Sequence, residues 1–242
     1  MYALSVVLLR VGVDSGSGGI QGPLLSNVFD FDYVPIPDYT DTDPRKYGTE
    51  RGRFGRTLAE YFPSPRQEKM AKQSIHYDPE FSTFTYGDPT SPKARLRRLE
   101  PGSLLVFYCG LEGWNKYHSD PALYIMGYFE VSRAGLARQI GDDLVHREFS
   151  KNFHVRHPSI YSEDRGALVL VKGGRSSRLL NRAFCISEMG VDRKGKPLKI
   201  LSHKMRRIVG DFGGRVSVQR SPPRWVWPEF SKGAMDFVRS LD

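Results

Sequence analysis

Two runs decide the fold class: Leu104-Leu105-Val106-Phe107-Tyr108-Cys109-Gly110, and Leu123-Tyr124-Ile125-Met126-Gly127-Tyr128-Phe129-Glu130-Val131. Both are rich in β-branched and aromatic residues and bounded by Pro, Gly and Asp, so both read as strands. A polar loop holding Trp114, Tyr117 and His118 joins them. Working outward, Ala3–Leu9 reads as a buried opening strand, and Ala167–Val171 and Ala183–Ile186 as further short ones. Phe29–Ile36 alternates aromatic and polar residues and stops at Pro35-Ile36-Pro37-Asp38, a strand ending in a turn. Phe84–Pro89 reads as a short strand framed by Asp-Pro turns. Ser132 is placed to cap a helix through Gln139, and Asp142 or Asp143 a second through Phe149. Pro197, with Ile200, Leu201, Met205 and Ile208 at helical spacing, predicts a basic amphipathic helix. A last helix is expected near Lys232–Leu241. Tyr39–Arg66 reads as a long basic loop with one short helix near Leu58–Tyr61. The expectation is an α+β fold: a mixed, strongly curved sheet or partial barrel flanked by several helices. With no repeat and no Ser/Gly linker, residues 1–242 form one unit, with a basic C-terminal helical portion from about 190 to 242.

Charge is the other bulk signal. The chain of 242 residues carries Lys+Arg 36 against Asp+Glu 27, a formal net charge of +9. The excess is local: Arg165 to Arg224 holds 15 Lys/Arg and 3 Asp/Glu, leaving the remainder mildly acidic. Such a segment favours phosphate-bearing partners, because Lys and Arg displace counterions condensed on a phosphate backbone. Lys199, Lys204, Arg206 and Arg207 are its expected nucleic-acid contacts. Cys109 and Cys185 sit in apolar runs and read as small buried thiols, not as a bridge or metal pair. No apolar stretch approaches the ~20 residues of a membrane span. Ala3–Leu9 has no basic region before it, as a leader would, so a cytoplasmic protein without membrane contact is expected.

Three polar clusters carry candidate chemistry. Asp14-Ser15 opens a turn with Gly18-Gly19; Asp14 reads as a base, and Ser15 and the glycines as a phosphate-approaching backbone, although Asp and Ser also cap their own turns. His76 and Asp78, two residues apart in extended chain, face the same way, with Tyr86 and Asp88 nearby; the set suits acid–base work or a divalent ion. Asn152, His154 and Asp164 accompany Lys172 at the end of the Ala167–Val171 strand, where a lysine beside glycines can meet a phosphate or a developing negative charge. Absent are GxSxG, HExxH, CxxC, a GK[ST] phosphate loop, and the HxE…PCxxC set of zinc deaminases.

Taken in order, Asp14-Ser15, Gly18-Gly19, Pro35-Ile36-Pro37, His76-x-Asp78-Pro79, Tyr86-Gly87-Asp88, and Val171-Lys172-Gly173 with Ser177 and Leu179-Leu180 resemble the nucleotide modification associated domain family, third type. The resemblance spans about Ala3 to Ile186. It implies a role in bacterial or phage systems that install or process hypermodified DNA bases, with Asp14, Ser15, His76, Asp78, Asp88 and Lys172 as matched positions; it implies no particular cofactor, group donor or oligomeric state. The turn Leu99-x-Pro101-Gly102 and the two strands after it also look like the barrel strands of PUA-type base readers. Three functions follow as expectations. One is a DNA base-modification protein with Asp14, His76, Asp78 and Lys172 as its catalytic set and no assigned metal. A second is a non-catalytic reader stacking a base on Tyr86, Tyr108, Trp114 or Tyr117. The third is a metal-dependent nuclease liganding its ion through Asp14, Asp78, Asp88 and His76.

Overall fold

The computed structural model describes residues 4–192, 194–219 and 222–242. Ala3, the first residue of the expected opening strand, lies outside them, as do Arg193 and Arg220 of the basic segment. The chain begins with β1 (Val6–Arg10), β2 (Gly22–Leu24) and β3 (Ile36–Pro37), followed by α1 (Ser64–Ala71), β4 (Ile75–His76) and β5 (Thr85–Asp88). Two long strands come next, β6 (Leu104–Gly113) and β7 (Ala122–Leu136). Four short helices follow: α2 (Ala137–Ile140), α3 (Asp142–Glu148), α4 (Phe153–Arg156) and α5 (Pro158–Asp164). The last third holds β8 (Val169–Gly173), β9 (Arg178–Cys185), β10 (Ser187–Val191), β11 (Pro197–Leu201), α6 (His203–Val209), β12 (Arg224–Trp225) and α7 (Pro228–Arg239).

The two diagnostic runs lie at the centre of an eight-stranded mixed sheet ordered β12-β1-β6-β7-β8-β5, with β2 also on β6 and β9 also on β7. β1 and β2 run parallel to β6, and the other pairings are antiparallel. The fold is α+β as expected, but the sheet stays open and is not a barrel. Successive side chains of a strand point to opposite faces. Val7, Leu9, Leu105 and Phe107 therefore enter one core, while Val6, Leu8, Leu104 and Val106 enter another. Helices α6 and α7 cover the second core through Met205, Val209, Ala234 and Val238. The first is covered by chain that precedes β6, through Leu24, Phe31, Tyr33, Phe81 and Leu96. With both faces covered, the central strands read as continuous apolar runs and not as alternating ones.

Several local expectations give way to long-range pairing. Ser132 caps no helix, because Val131–Leu136 continues β7 to pair with β8, and only Ala137–Ile140 turns helical. Pro197 opens a strand and not a helix: Pro197–Leu201 pairs antiparallel with Ser187–Val191. The helix starts later, where Ser202 Oγ accepts from the Met205 amide. Ile200 and Leu201 thus fit a helical spacing without being helical. The segment from 190 to 242 is a hairpin strand, two helices and a short strand. Of Phe29–Ile36, only Ile36 is in a strand, and the closing helix begins at Pro228, ahead of Lys232. The 3₁₀ turn at Leu58–Tyr61 forms where expected. Around it, Tyr39–Arg66 packs a small core of Tyr47, Leu58, Tyr61 and Phe62 with Met70 and Ile75. That segment is anchored by Asp43, whose buried carboxylate meets Arg45, Arg156 and His157 and so ties it to the end of α4.

Phe107 is fully buried and its ring lies edge-on to Phe129 and Phe81 at 4.6 and 5.7 Å. Phe107→Ala is expected to cost about 3–5 kcal/mol of unfolding free energy, measured by urea denaturation. A loss below about 1 kcal/mol would contradict a close-packed first core.

Candidate functional site

The buried middles of the central strands carry no charged side chain, and past the end of β1 the chain opens a cavity of about 650 Å³. One wall begins with Arg10, the last residue of β1, and continues through Gly12 into the turn Asp14–Ser17. Gly12 has φ +74°, and an added Cβ would press on Tyr33 and on the Val34 carbonyl. The turn is closed by Asp14 itself: its Oδ1 accepts from the Gly16 and Ser17 amides at 2.7 Å, and its carbonyl from Ser17 and Gly19. Its Oδ2 meets Arg10 at 3.2 Å. The Gly16, Ser17 and Gly19 amides are therefore engaged within the turn itself. Gly18 and Gly19 serve the turn's left-handed backbone, at φ +88° and +73°, and Arg66 packs where a Gly19 side chain would lie. Ser15 is exposed at the cavity mouth.

The opposite wall joins three elements. β4 delivers His76, the chain beyond it Asp78, and β5 Tyr86, Gly87 and Asp88. His154 comes from α4. Asn152 organises this wall. It caps α4, its Oδ1 accepting from the His154 amide at 3.1 Å, while its Nδ2 donates to Asp78 Oδ2 at 3.4 Å. The Gly87 amide donates to the same Oδ2 at 2.8 Å. A side chain at Gly87 would strike Asn152 Oδ1 at 2.7 Å, which explains the glycine. His76 stacks on Phe153 with ring centroids 3.9 Å apart, and His154 lies edge-on to His76 at 5.0 Å. The far side of His154 is fixed by Asp164, Nδ1 to Oδ2 at 2.8 Å.

Burial sets the electrostatics here. It pushes the Asp78 carboxyl well above the usual carboxylate range, against the hydrogen bonds from Gly87 and Asn152. Burial, with His154 alongside, holds the His76 imidazole down to about 3. Asp88 accepts from Tyr86 Oη at 3.0 Å and the Thr90 amide at 2.7 Å, and faces Lys93 at 3.5 Å. Lys199 reaches the cavity from β11, and its pKa is lowered first by burial and then by Arg10. Among the described residues it has no carboxylate within ion-pair distance.

Thus Asp14, Ser15, His76, Asp78, Tyr86, Asp88, His154 and Lys199 share one cavity, and Asn152 stands directly behind Asp78. Lys172 does not join them. Its ammonium donates to the Thr83 and Glu148 carbonyls at 2.5 and 3.2 Å, tying the loop before β5 to the end of α3. Ser177 is also elsewhere, its Oγ accepting from the Glu130 amide in the irregular link between β8 and β9. Lys204 and Arg207 are exposed on α6, where Lys204 lies over Phe184 and Arg206 pairs with Glu188. Of the four candidate stacking aromatics, Tyr86 alone lines the cavity. Tyr108 is buried in the second core with its hydroxyl on the Val218 carbonyl, Tyr117 packs on the first core, and Trp114 lines a separate cleft. Sequence reading missed Arg10, Gln21 and Lys93, which also line the cavity. The i,i+4 spacing of Arg10 and Asp14 was the available signal for the first.

The family model described as nucleotide modification associated domain 3 matches residues 5–240, well beyond the motifs that end near Ile186. No curated protein and no solved structure matches the chain.

Asn152→Ala removes both a helix cap and an Asp78 partner. The expected loss is about 2 kcal/mol, summing an N-cap and a buried hydrogen bond, read by urea denaturation, with shifted His76 and His154 imidazole resonances. Unchanged stability and resonances would show that Asn152 does not organise this wall.

Proposed function

We propose, since the chain belongs to the nucleotide modification associated domain 3 family, that the cavity binds one nucleotide unit of DNA and that the protein modifies or processes its base. One observation carries the reading: two neighbouring cations, Arg10 and Lys199, share a cavity with the His76, Asp78 and His154 group. Lys199 is half-buried, repelled by Arg10 and unpaired among the described residues, an arrangement that a bound anion would relieve. A phosphate between these cations directs the sugar and base toward the histidines. The volume is in the ~300–1,000 Å³ range of sites that enclose a small ligand. A base in a duplex must leave its stack to enter such a site, so single-stranded or flipped-out DNA is the expected substrate form.

The exposed Lys204 and Arg207 follow Lys199 in the chain and suit phosphates flanking the bound unit. Asp14 acts here by shaping the turn and holding Arg10, since both its oxygens are engaged. The wall of His76, Asp78 and His154 supplies the reacting groups. Lys172 has no contact with substrate in this account. A purely stacking reader is less favoured, because only Tyr86 of its aromatics is at the cavity wall.

Lys199→Met keeps the side chain's bulk and removes its charge. It should weaken binding of a deoxynucleoside monophosphate and of single-stranded DNA by about tenfold or more, as the loss of a charge-assisted hydrogen bond implies. The salt slope for DNA should fall by about one, both read by calorimetry or fluorescence anisotropy. Wild-type affinity and slope in the variant would overturn the assignment. Nucleoside mass spectrometry of DNA incubated with the protein separates modification from binding alone.

A further inference from the structure

We propose that His76, Asp78 and His154 bind one divalent first-row transition metal ion, of the Zn²⁺ or Fe²⁺ class, with its remaining coordination positions open to the cavity. One ligand atom from each residue lies within 4.8 Å of the other two. Donors around one ion at ~2.1 Å stand about 3.4 Å apart in a tetrahedron, so closing the set needs movements of roughly 1 Å. Closeness alone would not single out this trio. Asp78 does, because its two oxygens are treated differently. Oδ2 is held by the Gly87 amide and Asn152. Among the described residues, Oδ1 is buried with no hydrogen-bond partner, on a residue only 8% exposed that lines the cavity. A buried acceptor left unmatched is costly, and a cation is the partner that this geometry supplies.

The surroundings have the form that metal ligands need. Asp164 on Nδ1 of His154 fixes that ring and leaves Nε2 as its lone-pair nitrogen, the carboxylate–histidine arrangement that orients ligands at metal centres. Stacking on Phe153 fixes His76. Asn152 supports two ligands at once, through the cap on α4 and through Asp78. Two imidazoles and one carboxylate suit a transition ion and not Mg²⁺ or Ca²⁺, which prefer all-oxygen shells. The set differs from the nuclease ligands expected from sequence. Asp14 and Asp88 are occupied by their own turns and by Arg10 and Lys93, while His154 takes a place. Three protein ligands leave coordination positions for water or substrate. The proposal does not depend on the nucleotide reading, since an ion at this trio is measurable without nucleotide.

The test is a titration of chelator-stripped full-length protein with Co²⁺, Zn²⁺ and Fe²⁺, the last under anaerobic conditions, with Mg²⁺ as competitor. Expected are one equivalent of bound metal, visible Co²⁺ ligand-field bands of low coordination number, and no displacement by millimolar Mg²⁺. Asp78→Asn and His154→Ala should abolish the bands. Asp164→Asn, which removes no ligand, should weaken binding 10- to 100-fold, and circular dichroism checks that each variant folds. The proposal falls if the wild type binds no stoichiometric Co²⁺ or Zn²⁺, or if folded Asp78→Asn and His154→Ala bind as the wild type does. Should either variant not fold, wild-type stoichiometry and Asp164→Asn decide. Lost nucleotide binding with this metal site intact would overturn the nucleotide reading only.

Discussion

The burial of β1, β6 and β7 on both faces constrains everything else in this molecule. Through Val6–Leu9, Leu104–Leu111 and Leu123–Phe129 their side chains alternate between two separate cores, so no ionised group could stand in these stretches without losing its water. Polar chemistry is displaced to where the strands stop. Arg10 ends β1 and Asp14 follows one turn later; His76 closes the two-residue β4, and Asp88 ends β5. Different parts of the chain thus meet at one cavity beyond the buried stretches of the central strands. The same constraint explains the glycines along its walls, where backbone must approach closely: Gly12 beside Tyr33, and Gly87 against Asn152.

Within that cavity Asp78 has the least ordinary position. It is a carboxyl almost wholly removed from solvent, held on one oxygen and unpartnered among the described residues on the other, with two imidazoles beside it. A structural carboxylate is normally satisfied on both oxygens. The supporting shell is complete by contrast: Asn152, Gly87, Phe153 and Asp164 each fix one member of the trio. Lys199, half-buried beside the Asp14-paired Arg10 and without an ion-pair partner among the described residues, is the complementary incomplete feature. One partial set calls for a cation and the other for an anion.

Much of this was legible in the sequence. Asp14, His76, Asp78 and Asp88 stood out as titratable residues near Gly or Pro at expected strand ends and turns, and His154 as part of a polar cluster with Asn152 and Asp164; the five share one cavity, although Asp14 and Asp88 also hold their own turns. The strands themselves were readable from composition. What escaped reading depends on which segments pair, locally or at long range. Lys172 matched the pattern of a phosphate contact, yet Thr83 and Glu148, brought beside it by β5–β8 pairing and by α3, take up its ammonium. Pro197–Leu201 carried helical spacing, but pairing with β10 made it a strand, which put Lys199 into the cavity while Lys204 and Arg207 remained on an exposed helix. Nor did spacing show that Asn152 would stand behind Asp78, since 74 residues separate them.

On this proposal the His76–Asp78–His154 wall and the Arg10–Lys199 pair act on one ligand. A crystal structure of the protein with a bound deoxynucleoside monophosphate tests it most directly. Phosphate oxygens are expected at about 3 Å from Arg10 and Lys199, hydrogen-bond distance, with the sugar and base directed at His76 and His154. A nucleotide held only on the exposed face of α6, with the cavity containing solvent at saturating ligand, would contradict it.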